Sequence, residues 1–158
     1  MIITLGIILF FIISFLIVYE IRKERPKELL STIQRRSNLP IINIKKTSCF
    51  GYCPVYDAAI FPDGTVAYDG QENVKHVGYF EFKITQNEIN DIRKSIDSLN
   101  VFALSDEYDE NITDIPSTIL TFYQNDKAKR IKVRYGAPQK LNEFINKVHA
   151  IVNQKNEI

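Results

Sequence analysis

Hydrophobic positions divide the chain into stretches of different period. The first, MIITLGIILFFIISFLIVY, has no charged residue and is interrupted only by Thr4, Gly6, Ser14 and Tyr19. At 1.5 Å rise per residue, about 20 apolar residues cross a hydrocarbon core of about 30 Å, so residues 1–19 predict one transmembrane helix acting as an anchor. A buried core helix would carry a polar stripe, and a cleavable leader would begin with basic residues and end in a small-residue site; neither feature is present. Residues 20–40 then read as a basic juxtamembrane linker, with a short helix begun at Pro26 and stopped before Pro40.

From Ile41 the period falls to two. IINIKK is a short apolar run, and PVYDAAIF sets Tyr56, Ala58 and Ile60 against Val55, Ala59 and Phe61. Pro62-Asp63-Gly64 supplies a fixed φ, a local carboxylate acceptor and a residue free to take positive φ, the chemistry of a tight hairpin returning through TVAYDG. VKHVGYFEFKI places His76, Phe80 and Phe82 on one strand face, which makes His76 a core histidine and Gly78 a bulge position.

The period then lengthens to that of a helix. TQNEINDIRKSIDSLN opens with Thr85 and Glu88 in capping-box spacing and repeats Ile89, Ile92, Ile96 and Leu99 along one face. STILTFYQ and KRIKVRY form a second hairpin through Asn125 and Asp126, with Ile131, Val133 and Tyr135 inward. GAPQKLNEFINKVHAIV closes the body as a helix whose stripe is Leu141, Phe144, Ile145, Val148, Ile151 and Val152, with His149 at its boundary. The predicted fold class is α+β over residues 41–153: an antiparallel sheet in ββββαββα order, with two helices packed on it and the transmembrane helix ahead of it.

Charge modifies this picture little. The 158 residues carry a net charge of +1, which lacks the basic footprint of a nucleic-acid binder. Residues 20–40 hold six Lys or Arg against three Glu, and residues 41–158 hold fourteen against sixteen Asp or Glu. Arg22, Lys23, Arg25 and Lys27 directly after the span favour a cytoplasmic body. The acidic segment LSDEYDENITDIP lacks EF-hand spacing and reads as a solvated loop, in which Asp114 is a turn residue before Pro116.

Candidate chemistry centres on Cys49 and Cys53, the chain's two cysteines. A zinc site needs four ligands, and only His76 and His149 could join them, so no metal and no cofactor is expected. Redox sites of thioredoxin type use Cys-x-x-Cys at a helix N-terminus, whereas this spacing is Cys-x-x-x-Cys and Pro54 launches a strand. Gly51 allows the turn that would bring the sulfurs together, and a bond between them would hold Phe50 and Tyr52 on a rigid knuckle. A structural disulfide and a redox pair both stay open. No Gly-rich phosphate loop, Gly-x-Ser-x-Gly or His-Glu-x-x-His is present, so no catalytic residue is assigned.

CFGYCPVYDAAIFPDGTVAYDG, followed by VGYF, TDIP and GAPQKL, resembles the bacterial domain-of-unknown-function family 6438 from Ile42 to Val152. The resemblance implies a protein of the bacterial envelope and no particular activity. It places the body on the envelope (periplasmic) side of the membrane, against the basic neck. The function expected is that of a non-catalytic binding or structural module, with the bilayer as partner through residues 1–19 and Phe50, Tyr52, Tyr56 and Asp114 as candidate contact surface. The alternative is a thiol-dependent redox protein or sensor using Cys49 and Cys53.

Overall fold

A computed structural model describes residues 10, 12–16, 39–110, 112 and 114–155. The described elements of the body are β1 (Ile42–Lys46), β2 (Val55–Ile60), β3 (Thr65–Glu72), β4 (Gly78–Lys83), α1 (Gln86–Leu99), β5 (Glu107–Tyr108), β6 (Thr118–Gln124), β7 (Lys127–Val133) and α2 (Gln139–Lys155). A single 3₁₀ turn, Val101–Ala103, follows α1. The strands form one sheet in the order β4-β3-β2-β1-β6-β7-β5.

Local chemistry explains the main turns. Between β2 and β3, Gly64 sits at φ +79 and its N–H donates to the Phe61 carbonyl at 3.0 Å. Asp63 accepts from the Thr65 N–H at 3.0 Å and from its hydroxyl at 2.9 Å. A side chain at position 64 would meet the Ile84 carbonyl oxygen at 2.8 Å, so only glycine fits. Helix α1 begins in a capping box: the Glu88 N–H donates to Thr85 Oγ1, and the Thr85 N–H donates to Glu88 Oε2. Such a cap stabilises a helix by about 1 kcal/mol.

Both helices cover one face of the sheet. Ile89, Ile92, Ile96 and Leu99 of α1, with Leu141, Phe144, Ile145, Val148 and Val152 of α2, are buried on Ile42, Ile44, Ile60, Leu120 and Phe122. Each fully buried side chain of this size contributes about 1.5–3 kcal/mol relative to exposure, so this seam is the main hydrophobic stabilisation. The opposite face carries a smaller cluster of Ala59, Phe61 and Ala67, with Tyr79 packed against it.

Three expectations are corrected. The sheet is mixed and seven-stranded among the described residues, not a purely antiparallel ββββαββα arrangement: β5 runs parallel to β7, pairing Glu107 with Lys132 and Tyr108 with Val133. The reason is charge complementarity. Asp106 pairs with Lys129, Glu107 with Lys132 at 2.7 Å, and Asp109 with Arg134 at 3.1 Å, so the acidic segment lies along a basic strand while its acidic residues stay exposed to solvent. Backbone bonds from Lys132 N–H to Asp106 O and from Arg134 N–H to Tyr108 O, both 2.8 Å, complete the attachment.

The second correction concerns the membrane anchor. Among the described residues no helix is long and apolar enough to cross a membrane. Residues 10 and 12–16 are helical and exposed, while the rest of the expected 1–19 span and the linker to position 38 lie outside the described residues. The transmembrane helix, and with it the single-pass placement of the body, is therefore not supported. Third, β4 begins at Gly78, with φ +115, and not at Val74; His76 lies in the preceding turn, exposed and edge-on to Phe80 at 6.0 Å, not in the core.

Candidate functional site

The loop between β1 and β2 contains the most exposed large apolar side chains of the described body. Cys49 and Cys53 are joined by a disulfide, with their Cα atoms 5.9 Å apart. Inside that closure the Gly51 N–H donates to the Cys49 carbonyl at 3.0 Å, and Gly51 takes φ +152, where a side chain would be strained. The result is a knuckle from which Phe50 and Tyr52 project at 91% and 85% exposure.

The knuckle is fastened at both ends. On its entry side the Thr47 N–H donates to the Ser117 carbonyl at 3.0 Å, and the Ser117 N–H returns a bond to Thr47 Oγ1 at 2.8 Å. On its exit side Asn73 Nδ2 donates to the Cys53 carbonyl at 3.0 Å. Pro54 then leads into β2, so among the described residues no helix N-terminus follows either cysteine.

Tyr56, expected beside Phe50 and Tyr52, lies on the inner face at 0% exposure. Its ring stacks on Tyr68 at 5.4 Å and on His149 at 5.7 Å with 13° between planes. Tyr56 Oη is 2.7 Å from His149 Nδ1, and Asn153 Nδ2 is 3.0 Å from His149 Nε2. Lys46, directly opposite Tyr56 in register, is half-buried beside them. Burial pushes the Tyr56 phenol far above its ordinary range and pushes the Lys46 ammonium down. Burial and then the Lys46 charge also push His149 down, which favours the neutral imidazole.

Asp114 is exposed at φ +66 in the segment between β5 and β6, and its carboxylate makes no hydrogen bond or ion pair among the described residues. That segment reaches the base of the knuckle through Ser117, so the structure joins Asp114 to the knuckle by backbone continuity alone. On the outer sheet face, Asp57 accepts from Asn43 Nδ2 at 2.8 Å and lies 3.9 Å from Lys45. Burial nevertheless raises its carboxyl above the usual range. Among the described residues no group of three or more His, Cys, Asp or Glu could hold a metal ion.

With this geometry in hand, the family assignment follows. The sequence profile described as Domain of unknown function (DUF6438) matches residues 40–152. The chain belongs to this family. Its matched region contains the knuckle, all seven strands and the Tyr56–His149 pair. No curated protein matches the chain.

Sequence reasoning set His149 at a helix boundary and did not bring it or Lys46 to Tyr56. Both had a signal. Lys46 continues the inward register of Ile42 and Ile44, so strand alternation points it toward the helices. His149 and Asn153 are four apart on α2 and therefore share a face.

Proposed function

We propose that this DUF6438 domain is a binding module without catalysis, and that the Cys49–Cys53 knuckle is its contact element. One observation carries this: Phe50 and Tyr52 stand almost fully exposed on a loop closed by a disulfide and bonded at both ends. Leaving two aromatic side chains in water forgoes the stabilisation that burial would give them. Aromatics on a closed loop offer large contact area at low conformational-entropy cost, because little freedom remains to be lost on binding. Tyrosine in particular supplies an apolar ring and a hydroxyl for one partner hydrogen bond.

The thiol-redox alternative has weaker support. Attack on a disulfide requires a stabilised thiolate, and the usual source is a helix N-terminus or an adjacent cation. Pro54 and strand β2 follow Cys53, and the nearby Lys45 faces Asp57.

The test compares three forms of the full chain, purified without reductant, in quantitative enrichment from the cells that make it. Wild type retains a partner that Phe50→Ser/Tyr52→Ser and Cys49→Ser/Cys53→Ser both lose. Equal retention by all three forms overturns the proposal. Cysteine-dependent turnover in dithiol-driven insulin reduction would establish the redox alternative in its place.

A further inference from the structure

One edge of the sheet is covered over only part of its length. Strand β5 is outermost in the order β4-β3-β2-β1-β6-β7-β5, yet it pairs with Lys132 and Val133 of β7 and no further. Residues 127–131 have β6 on one side and, among the described residues, no strand on the other. Backbone geometry decides which groups face outward there. Lys132 and Arg134 send their N–H groups to the carbonyls of Asp106 and Tyr108, both at 2.8 Å. Alternate residues of an antiparallel strand turn their N–H and C=O groups to the same side, so Ala128 and Arg130 present theirs along the uncovered stretch. Among the described residues neither N–H meets an acceptor, and Lys127, Ala128 and Arg130 are exposed.

Charge decides what fits beside them. Residues 127–134 read KAKRIKVR, with cations at Lys127, Lys129, Arg130, Lys132 and Arg134. The covered end supplies a template, because β5 lies there through backbone bonds and through the ion pairs of Asp106, Glu107 and Asp109. At the uncovered end Lys127 and Arg130 make no hydrogen bond or ion pair among the described residues. Edge cations ordinarily keep other sheets away, and a second copy of β7 would set cation against cation. A neutral strand would gain the backbone bonds alone. An acidic strand gains the ion pairs as well.

We propose that the uncovered stretch of β7 is a docking edge for an acidic peptide in extended conformation. The peptide adds a strand beyond β7, bonds the N–H and C=O groups of Ala128 and Arg130, and sets carboxylates against Lys127 and Arg130. By strand alternation Lys127 shares the helix-covered face with Ile131, and Arg130 lies on the opposite face, so acidic side chains on both faces of the peptide are matched. Strand β5 already follows this pattern, with Asp106 on Lys129 and Glu107 on Lys132. The edge is separate from the Phe50 and Tyr52 knuckle, and the proposal does not rest on the function given above.

The test is amide exchange of the full chain by NMR, with a short acetylated peptide alternating glutamate and valine. Ala128 and Arg130 amides should exchange freely without peptide and become protected with it, and added salt should weaken the binding. The same peptide with every amide N-methylated, and one with lysine in place of glutamate, should give no protection. Lys127→Gln/Arg130→Gln should weaken binding about tenfold, whereas Phe50→Ser/Tyr52→Ser should leave it unchanged. Should the double glutamine variant fail to fold, the three peptides on wild type still decide.

No protection by the acidic peptide, equal binding of its N-methylated form, equal protection by the lysine peptide, or protection confined to residues outside β7 would each overturn the proposal. A knuckle that retains no partner leaves this exchange pattern unchanged, so the two proposals fail separately.

Discussion

Asn73 Nδ2 donates to the carbonyl oxygen of Cys53 at 3.0 Å, which makes the turn between β3 and β4 a brace for the disulfide loop. Asn73 holds φ +54, a conformation asparagine tolerates better than most residues. The same turn presents Val77 at 57% exposure, so two adjoining loops contribute exposed apolar side chains at one end of the sheet. Asn73→Ala leaves the Cys53 carbonyl without this donor and should cost about 1 kcal/mol. Urea unfolding measures the loss, and amide exchange should localise it to residues 51–55 and 72–78.

The disulfide closes a loop of sequence separation 4, so the entropy it removes from the unfolded chain is small. Loop-closure entropy for so few residues gives about 2 kcal/mol. Cys49→Ser/Cys53→Ser should therefore fold with the same denaturant slope and an unfolding free energy lowered by that amount. Its main effect should be on the order of Phe50 and Tyr52, read by NMR relaxation.

Asp63 has its carboxyl held down to about 2, first by the Thr65 N–H and then by its bonds to Lys83 and the Thr65 hydroxyl. A folded value below the unfolded one means that the stabilisation is complete above about pH 4, and is lost as pH falls through about 2. The carboxylate is exposed, so solvent screens much of the charge contribution. Asp63→Ala should cost about 1 kcal/mol at pH 7. The gap to wild type should close between pH 4 and pH 2, as measured by thermal unfolding across that range.

Arg134 fastens the acidic segment through two contacts to Asp109, at 3.1 and 3.2 Å, and one to the Ile112 carbonyl at 2.8 Å. Its removal should release β5 while leaving the central strands in place. Arg134→Ala should raise amide exchange at Lys132, whose N–H bonds Asp106, by roughly tenfold, the equivalent of about 1.4 kcal/mol of local opening. Exchange in β1 and β2 should not change.

Much of the central sheet was legible because its signals are local. Asp63-Gly64 and Asn125-Asp126 mark turns by their own backbone preferences: Gly64, Asn125 and Asp126 lie at positive φ, and Asp63 accepts from the Thr65 N–H. The stripes of α1 and α2 follow from their period. Strand β5 was not legible, since two residues carry no period and their pairing depends on charges some 25 positions away. Tyr56 was misplaced among surface residues because the alternation PVYDAAIF has aliphatic residues on both faces. His149 was set at a boundary because a single polar residue beside an apolar stripe does not reveal the tyrosine it meets across the fold.

The central claim is that Phe50 and Tyr52 touch a partner because the disulfide holds them out. The most direct measurement places a photo-crosslinking amino acid at position 52 of the full chain, produced in its own cells, with Cys49 and Cys53 intact or changed to serine. The account predicts one discrete adduct with the cysteines intact, a loss of that adduct in the serine variant, and none from a control probe at exposed Lys140. Adducts of equal yield from all three would contradict it, as would no adduct from position 52.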